Sequence, residues 1–243
     1  MICLSQEDIE RIGESVLRDY TKRMVRSSSS PIDIAHFARC YLDVNIQHRK
    51  LSVRGDILGL TTYSGINLEL SFPGENIVLS VPEDTILLEE TLFRPNNFRR
   101  WRFTLAHECA HQILMRMQKD ETGRNVRGGF VPGKTYSYRD LRTTEDWSEW
   151  QANVLAAALL MPRAKLLELL DCGFKPLTRY GSRFNSLDYA SIRRLANRFC
   201  VSIKAMEIRL NGLGYITRKP ESEYTGMAFV TQTVIRHTVG LMV

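Results

Sequence analysis

The chain has 243 residues, 44% hydrophobic and 25% charged, with a net charge of +6 and a pI near 9.1. This composition is that of a soluble globular protein long enough to bury a real core, and no apolar run approaches the roughly 18 residues of a membrane span. Five scattered cysteines (Cys3, Cys40, Cys109, Cys172, Cys200), with no C-x-x-C pair, argue against a disulfide framework and a cysteine zinc knuckle.

The opening MICLSQEDIERIGES turns acidic after four residues and lacks the basic flank and apolar stretch of a secretory signal, so a cytoplasmic protein is expected. Residues 6–26 predict a helix with Ile9, Ile12, Val16 and Tyr20 near one face, and the break SSSSP leads into a short second helix over PIDIAHFARCYLD. From residue 43 the runs VNIQHRKL, DILGLTTYS, INLEL and NIVLSV, separated by Gly, Pro, Asn and Ser, predict a small, largely antiparallel sheet. Residues 84–92 and 96–117 return to helical composition, and 120–143 read as a long loop or lid. An apolar helix over 146–161 stops at Met161-Pro162. After a Pro/Gly-rich passage over 172–186, SLDYASIRRLANRFCVSIKAMEIRLNGLGYI predicts two helices joined by a tight turn at Val201-Ser202.

The second of the middle helical stretches contains FTLAHECAHQIL. Residues four apart on a helix stand one above the other, roughly 6 Å apart, so His107 and His111 can point at one ion. Glu108 lies about 100° around the axis, within reach of a water on that ion without binding it. This is why the pattern H-E-x-x-H suits a zinc hydrolase: two neutral imidazoles bind Zn²⁺ and the carboxylate accepts a proton. Phe103, Leu105, Ala106, Ala110, Ile113 and Leu114 make the helix largely buried, and buried imidazoles need partners.

A catalytic zinc takes three protein ligands and keeps one position open. Cys109 sits about 200° from the histidines, on the wrong face, while His36 and His48 lie elsewhere and read as surface or core residues. The better candidate is Glu149 in TTEDWSEWQANVLAAALLMP, a carboxylate on a face of Trp, Ala, Leu and Val that demands a charged partner. Asn153, one turn on, is placed to hydrogen-bond the free nitrogen of a histidine ligand. Spacing leaves Glu145 and Asp146 open as ligands too, although near the helix start acidic residues have an ordinary capping role.

These stretches resemble the ImmA/IrrE family of bacterial zinc metallopeptidases, whose pattern is R-F-T-x-A-H-E-x-x-H followed by E-x-x-A-N-x-x-A-A-x-L-L-M-P. DILGLTTYSG and LANRFCVSIKAMEIRLNGLGYI also look like that family, so the likeness covers roughly residues 31–216. The resemblance implies His107, His111 and Glu149 as zinc ligands and Glu108 as general base. In many relatives a second glutamate stands where this chain has Gln151; a ligand at that position would make the chain a damaged enzyme, and Glu149, matching the family's first glutamate, is kept.

The fold implied is α+β: zincin-like helices carrying H-E-x-x-H on a small, mainly antiparallel sheet, then a helix-turn-helix-like region. The corresponding domains are a metallopeptidase domain over 1–170, the helical region over 171–216 and a tail over 217–243 with no assignable role. The resemblance further implies cleavage of a helix-turn-helix repressor encoded nearby, controlling a mobile element or stress response, with no membrane involvement.

Peptide hydrolysis also needs a donor for the tetrahedral oxyanion. Tyr136, Tyr138 or an arginine of the 120–143 loop are the candidates. A rival reading is direct DNA binding: Ala196, Phe199, Val201, Ile203 and Met206 follow helix-turn-helix spacing, with Arg193, Arg194, Arg198 and Arg209 nearby and no glycine in the turn. A third reading keeps the metal without the chemistry, as a structural ion or in a regulatory partner that only binds its repressor.

Overall fold

The first helix begins where the sequence supplies a cap. Ser5 Oγ accepts from the Asp8 backbone N–H at 3.1 Å, and the Asp8 carboxylate accepts from the Ser5 N–H at 3.2 Å, satisfying donors that a helix N-terminus leaves free. In the computed structural model, which describes residues 3–24, 31–122, 129–130, 143–171 and 177–224, this helix is α1 (Gln6–Arg23). The chain forms two units, Met1–Ala164 and Lys165–Val243.

In the first unit, α2 (Ile34–His36) runs into a π-helical turn, Phe37–Tyr41. The strands β1 (Asn45–Arg49), β2 (Gly59–Thr62), β3 (Ile66–Phe72), β4 (Glu75–Val81) and β5 (Thr85–Glu89) follow. Next come α3 (Phe98–Thr122), β6 (Gly129–Phe130), α4 (Thr144–Leu160) and α5 (Arg163–Asp171), which crosses the division between units.

The main sheet has the order β1-β5-β2-β6, parallel between β1 and β5 and antiparallel elsewhere. β3 and β4 form a separate antiparallel hairpin turning at Pro73-Gly74, where Gly74 takes φ 83° and fills the turn position that favours glycine. The fold class is α+β, as the sequence pattern implied.

The helix expected over 84–92 is not formed. Thr85–Glu89 is instead the inner strand β5, every residue of it buried, followed by a 3₁₀ turn at Glu90–Phe93. One of its faces meets α3, and Leu87 on the other packs with Leu51 and Val81, against which Leu60, Ile66, Leu68 and Leu79 lean. A strand covered on both faces reads as a continuous apolar run, and its sequence lacks the alternation that marks a half-buried strand.

Helix α4 repeats the capping arrangement of α1. Thr143 Oγ1 accepts from the Asp146 N–H at 3.0 Å, and Asp146 Oδ2 accepts from the Thr143 N–H at 3.1 Å. α1 lies tightly on α4, with Gly13 against Ala158 and Leu155.

In the second unit, β7 (Leu177–Tyr180) pairs with β8 (Arg183–Phe184) antiparallel and β9 (Ile216–Lys219) parallel. Between them lie α6 (Ser186–Arg198), capped by Asn185, and α7 (Ile203–Gly212), capped by Ser202. Ile192, Leu195, Ala196, Phe199, Val201, Met206 and Leu210 are buried, so the helix pair has its own core. The turn lacks glycine and Cys200 bends the chain in its place, at φ 51°.

Arg193, Arg194 and Arg198 are exposed, whereas Arg209 is buried and does not join them on the surface. Residues 225–243 of the unassigned tail lie outside the described residues. Among those described, no helix is long and apolar enough to cross a membrane.

Candidate metal centre

The H-E-x-x-H stretch lies on the buried middle of α3, where Leu105, Ala106, Cys109, Ala110 and Ile113 hold the helix in the core. His107 and His111, one turn apart, bring their rings to a centroid distance of 4.6 Å and their Nε2 atoms to 3.0 Å. From α4, Glu149 places Oε2 3.3 Å from His107 Nε2 and Oε1 3.1 Å from His111 Nε2. The second approach is close without hydrogen-bond alignment. The three residues are 0%, 3% and 6% exposed and form a group able to hold a metal ion.

The donors fit such an ion. Tetrahedral bonds of about 2.0–2.1 Å to nitrogen and oxygen set neighbouring donors roughly 3.3 Å apart, and the separations here are 3.0, 3.1 and 3.3 Å. His107 Nδ1 lies 3.2 Å from Asn153 Oδ1. An amide oxygen only accepts, so Nδ1 carries the hydrogen and Nε2 keeps its lone pair toward the other donors.

Charge points the same way. Burial, the largest influence, lowers the His107 pKa to about 4, keeping the imidazole neutral near pH 7. For Glu149, burial alone would raise the pKa, but the His107 and His111 imidazoles beside it act the other way and hold the carboxyl below its usual range. Burial keeps His107 neutral, with its Nδ1 hydrogen on Asn153 Oδ1. An ionised Glu149 beside a neutral His107 leaves buried negative charge, which a divalent cation offsets.

Glu108 sits beside this group, fully buried, with neither carboxylate oxygen hydrogen-bonded among the described residues. Burial first, then the charge of Glu149, push its pKa well above the usual carboxylate range.

Glu145 is exposed at the start of α4 and Asp146 completes the cap, so neither joins the group. Gln151 is buried but accepts from the Leu4 N–H at 2.9 Å. Cys109 is buried, its thiol pKa raised by burial. His36 meets the Tyr20 hydroxyl at 3.0 Å, and His48 Nε2 accepts from Trp101 Nε1 at 3.1 Å, each a packing role away from the group. Tyr136 and Tyr138 lie outside the described residues.

Sequence reasoning missed the contribution of β2. Gln112 Nε2 donates to Thr61 Oγ1 at 2.7 Å and to the Thr62 carbonyl at 3.0 Å, tying α3 to the strand. Tyr63, just past β2, is buried, and its pKa is raised by burial and then by the charges of Glu108 and Glu149. Alternation along G-x-T-x-Y, with Gly59, Thr61 and Tyr63 on one face, was the available signal.

Residues 94–211 match the family model of the IrrE N-terminal-like domain, Peptidase_M78, which spans α3, α4 and most of the α6–α7 pair. No curated protein matches the chain.

Proposed function

Starting from the ImmA/IrrE family likeness that this match bears out, and the metallopeptidase-type function that comes with it, we propose that the chain is a cytoplasmic zinc-dependent endopeptidase. Its substrate is a helix-turn-helix repressor encoded nearby, and cutting it switches on a mobile element or a stress response. One observation carries the reading: two imidazoles and a carboxylate from neighbouring helices converge, beside a buried glutamate with no hydrogen-bond partner among the described residues.

His107, His111 and Glu149 would hold the ion, and Asn153 orients His107 through Nδ1. When bound, zinc supplies Lewis acidity toward water and a peptide carbonyl. Glu108 takes the proton of the attacking water on a carboxylate oxygen and returns it to the leaving amine. Its raised pKa suits that exchange, since an ordinary carboxylate holds a proton too weakly near neutrality. The oxyanion donor is sought among Tyr136, Tyr138 and the buried Tyr63.

The test is Glu108→Gln with the neighbouring repressor as substrate. The variant should keep stoichiometric zinc and lose cleavage. Normal cutting with metal retained would remove Glu108 from the chemistry, and a parent chain that binds no zinc would end the metal reading.

A second reading, a DNA- or repressor-binding regulator with a non-catalytic metal, draws on the exposed Arg193, Arg194 and Arg198 of α6. Phosphate contact must weaken steeply with salt, so a gel shift on plain duplex at rising salt separates direct DNA contact from docking of a protein repressor.

A further inference from the structure

Gly59 opens β2 at the point where the strand meets the Glu108 carboxylate. A Cβ there would lie 2.5 Å from Glu108 Oε1, 3.0 Å from its Cδ and 2.9 Å from Thr104 Cγ2. The backbone does not need a glycine for its conformation, since Gly59 is not among the positive-φ residues. Close approach is what remains to explain it.

The strand is also held at that distance. β2 pairs with β5 on one side and β6 on the other. Gln112, one turn beyond Glu108 on α3, donates to Thr61 and Thr62 of the same strand. Neither the strand nor the helix can retreat without breaking these bonds.

From this we infer that Gly59 is a positioning residue: β2 is a wall that fixes where the Glu108 carboxylate sits, and the missing side chain leaves the space it occupies. The inference rests on the reading of Glu108 as the general base. Ordinary contact begins near 3.4 Å, so a methyl group at 2.5 Å displaces Oε1 by about 0.9 Å. A misplacement of about 1 Å around a reacting centre costs on the order of 100-fold in rate.

The experiment is Gly59→Ala in the full chain. With zinc and repressor, kcat should fall about 100-fold while KM and zinc affinity stay within about threefold. In metal-free protein, Gly59→Ala should lower Tm clearly more when Glu108 is present than in a Glu108→Ala background, where the colliding carboxylate is gone and only the 2.9 Å approach to Thr104 Cγ2 remains. Wild-type cleavage by Gly59→Ala would overturn the inference. So would equal Tm losses in both backgrounds, which would assign the clash to Thr104. Should Gly59→Ala alone fail to fold, the double variant must fold, and its failure also overturns the inference. The thermal comparison needs no substrate, so a failed peptidase reading shows instead as a parent chain that never cleaves while the Gly59–Glu108 coupling persists.

Discussion

Replacing Glu108 by Gln should make the metal-free protein more stable. The carboxylate is fully buried and unpartnered among the described residues, and burial followed by the charge of Glu149 raises its pKa well above 4.5. Above pH 4.5 the unfolded chain has released a proton that the folded chain still holds. Folding stability therefore falls as pH rises through the interval between the unfolded and folded pKa values. Glutamine does not titrate and escapes that loss. Burying an ionised group without a partner costs more than burying a neutral amide, by an amount on the order of 1–3 kcal/mol. For a chain of this size that is roughly 2–12 °C in Tm. The assay is urea and thermal unfolding of both proteins with a chelator present, which keeps metal stabilisation out of the comparison. The gap should widen as pH rises above about 4.5 and close toward that pH, where both side chains are neutral in the folded protein. A Gln variant less stable than the parent at neutral pH, or a gap that ignores pH, would refute the reasoning.

Asn153→Ala removes the acceptor at His107 Nδ1, and zinc affinity measured against a competing dye should fall about 10–100-fold. Glu149→Ala should weaken zinc by more than that, over about 100-fold, while Gln151→Ala leaves affinity within about twofold, since Gln151 faces the Leu4 amide; the reverse pattern in the same titration would move the ligand to position 151. Cys200 holds φ 51° in the α6–α7 turn, a conformation costing a non-glycine residue roughly 1–2 kcal/mol. Cys200→Gly should therefore raise stability by about 1 kcal/mol in urea unfolding, after glycine's greater unfolded-state entropy is set against it, and Cys200→Ala should bring no gain.

The two helices that build the site were legible because their information is local. Thr143 and Asp146 mark the start of α4 by capping chemistry that needs only three residues of spacing. His107 and His111 share a face by helical geometry alone. β5 was not legible, because its five buried residues fit a helix or a two-sided strand equally well. The better cue lay just before it in Pro82-Glu83-Asp84, a turn in which Asp84 takes φ 47°. For Gly59 and Tyr63 the alternation along β2 shows that they share a face, but not what that face meets. Their importance comes from β2 crossing beside α3, a contact between residues about 50 positions apart that no local pattern encodes.

The same contrast explains why Glu149 joins the histidines and its acidic neighbours do not. Asp146 lies at the helix start, where the Thr143 N–H and hydroxyl already engage its carboxylate, and Glu145 faces solvent. Glu149 sits one turn deeper, on a stretch where Trp150, Ala152, Leu155 and Ala156 are buried, and there a carboxylate has no water to satisfy it. Such a residue persists only where something answers its charge. Burial holds His107 neutral, with its hydrogen turned to Asn153, so that imidazole leaves the charge unbalanced. What distinguishes Glu149 is thus its depth in the core, and that depth is also the reason the site calls for a cation.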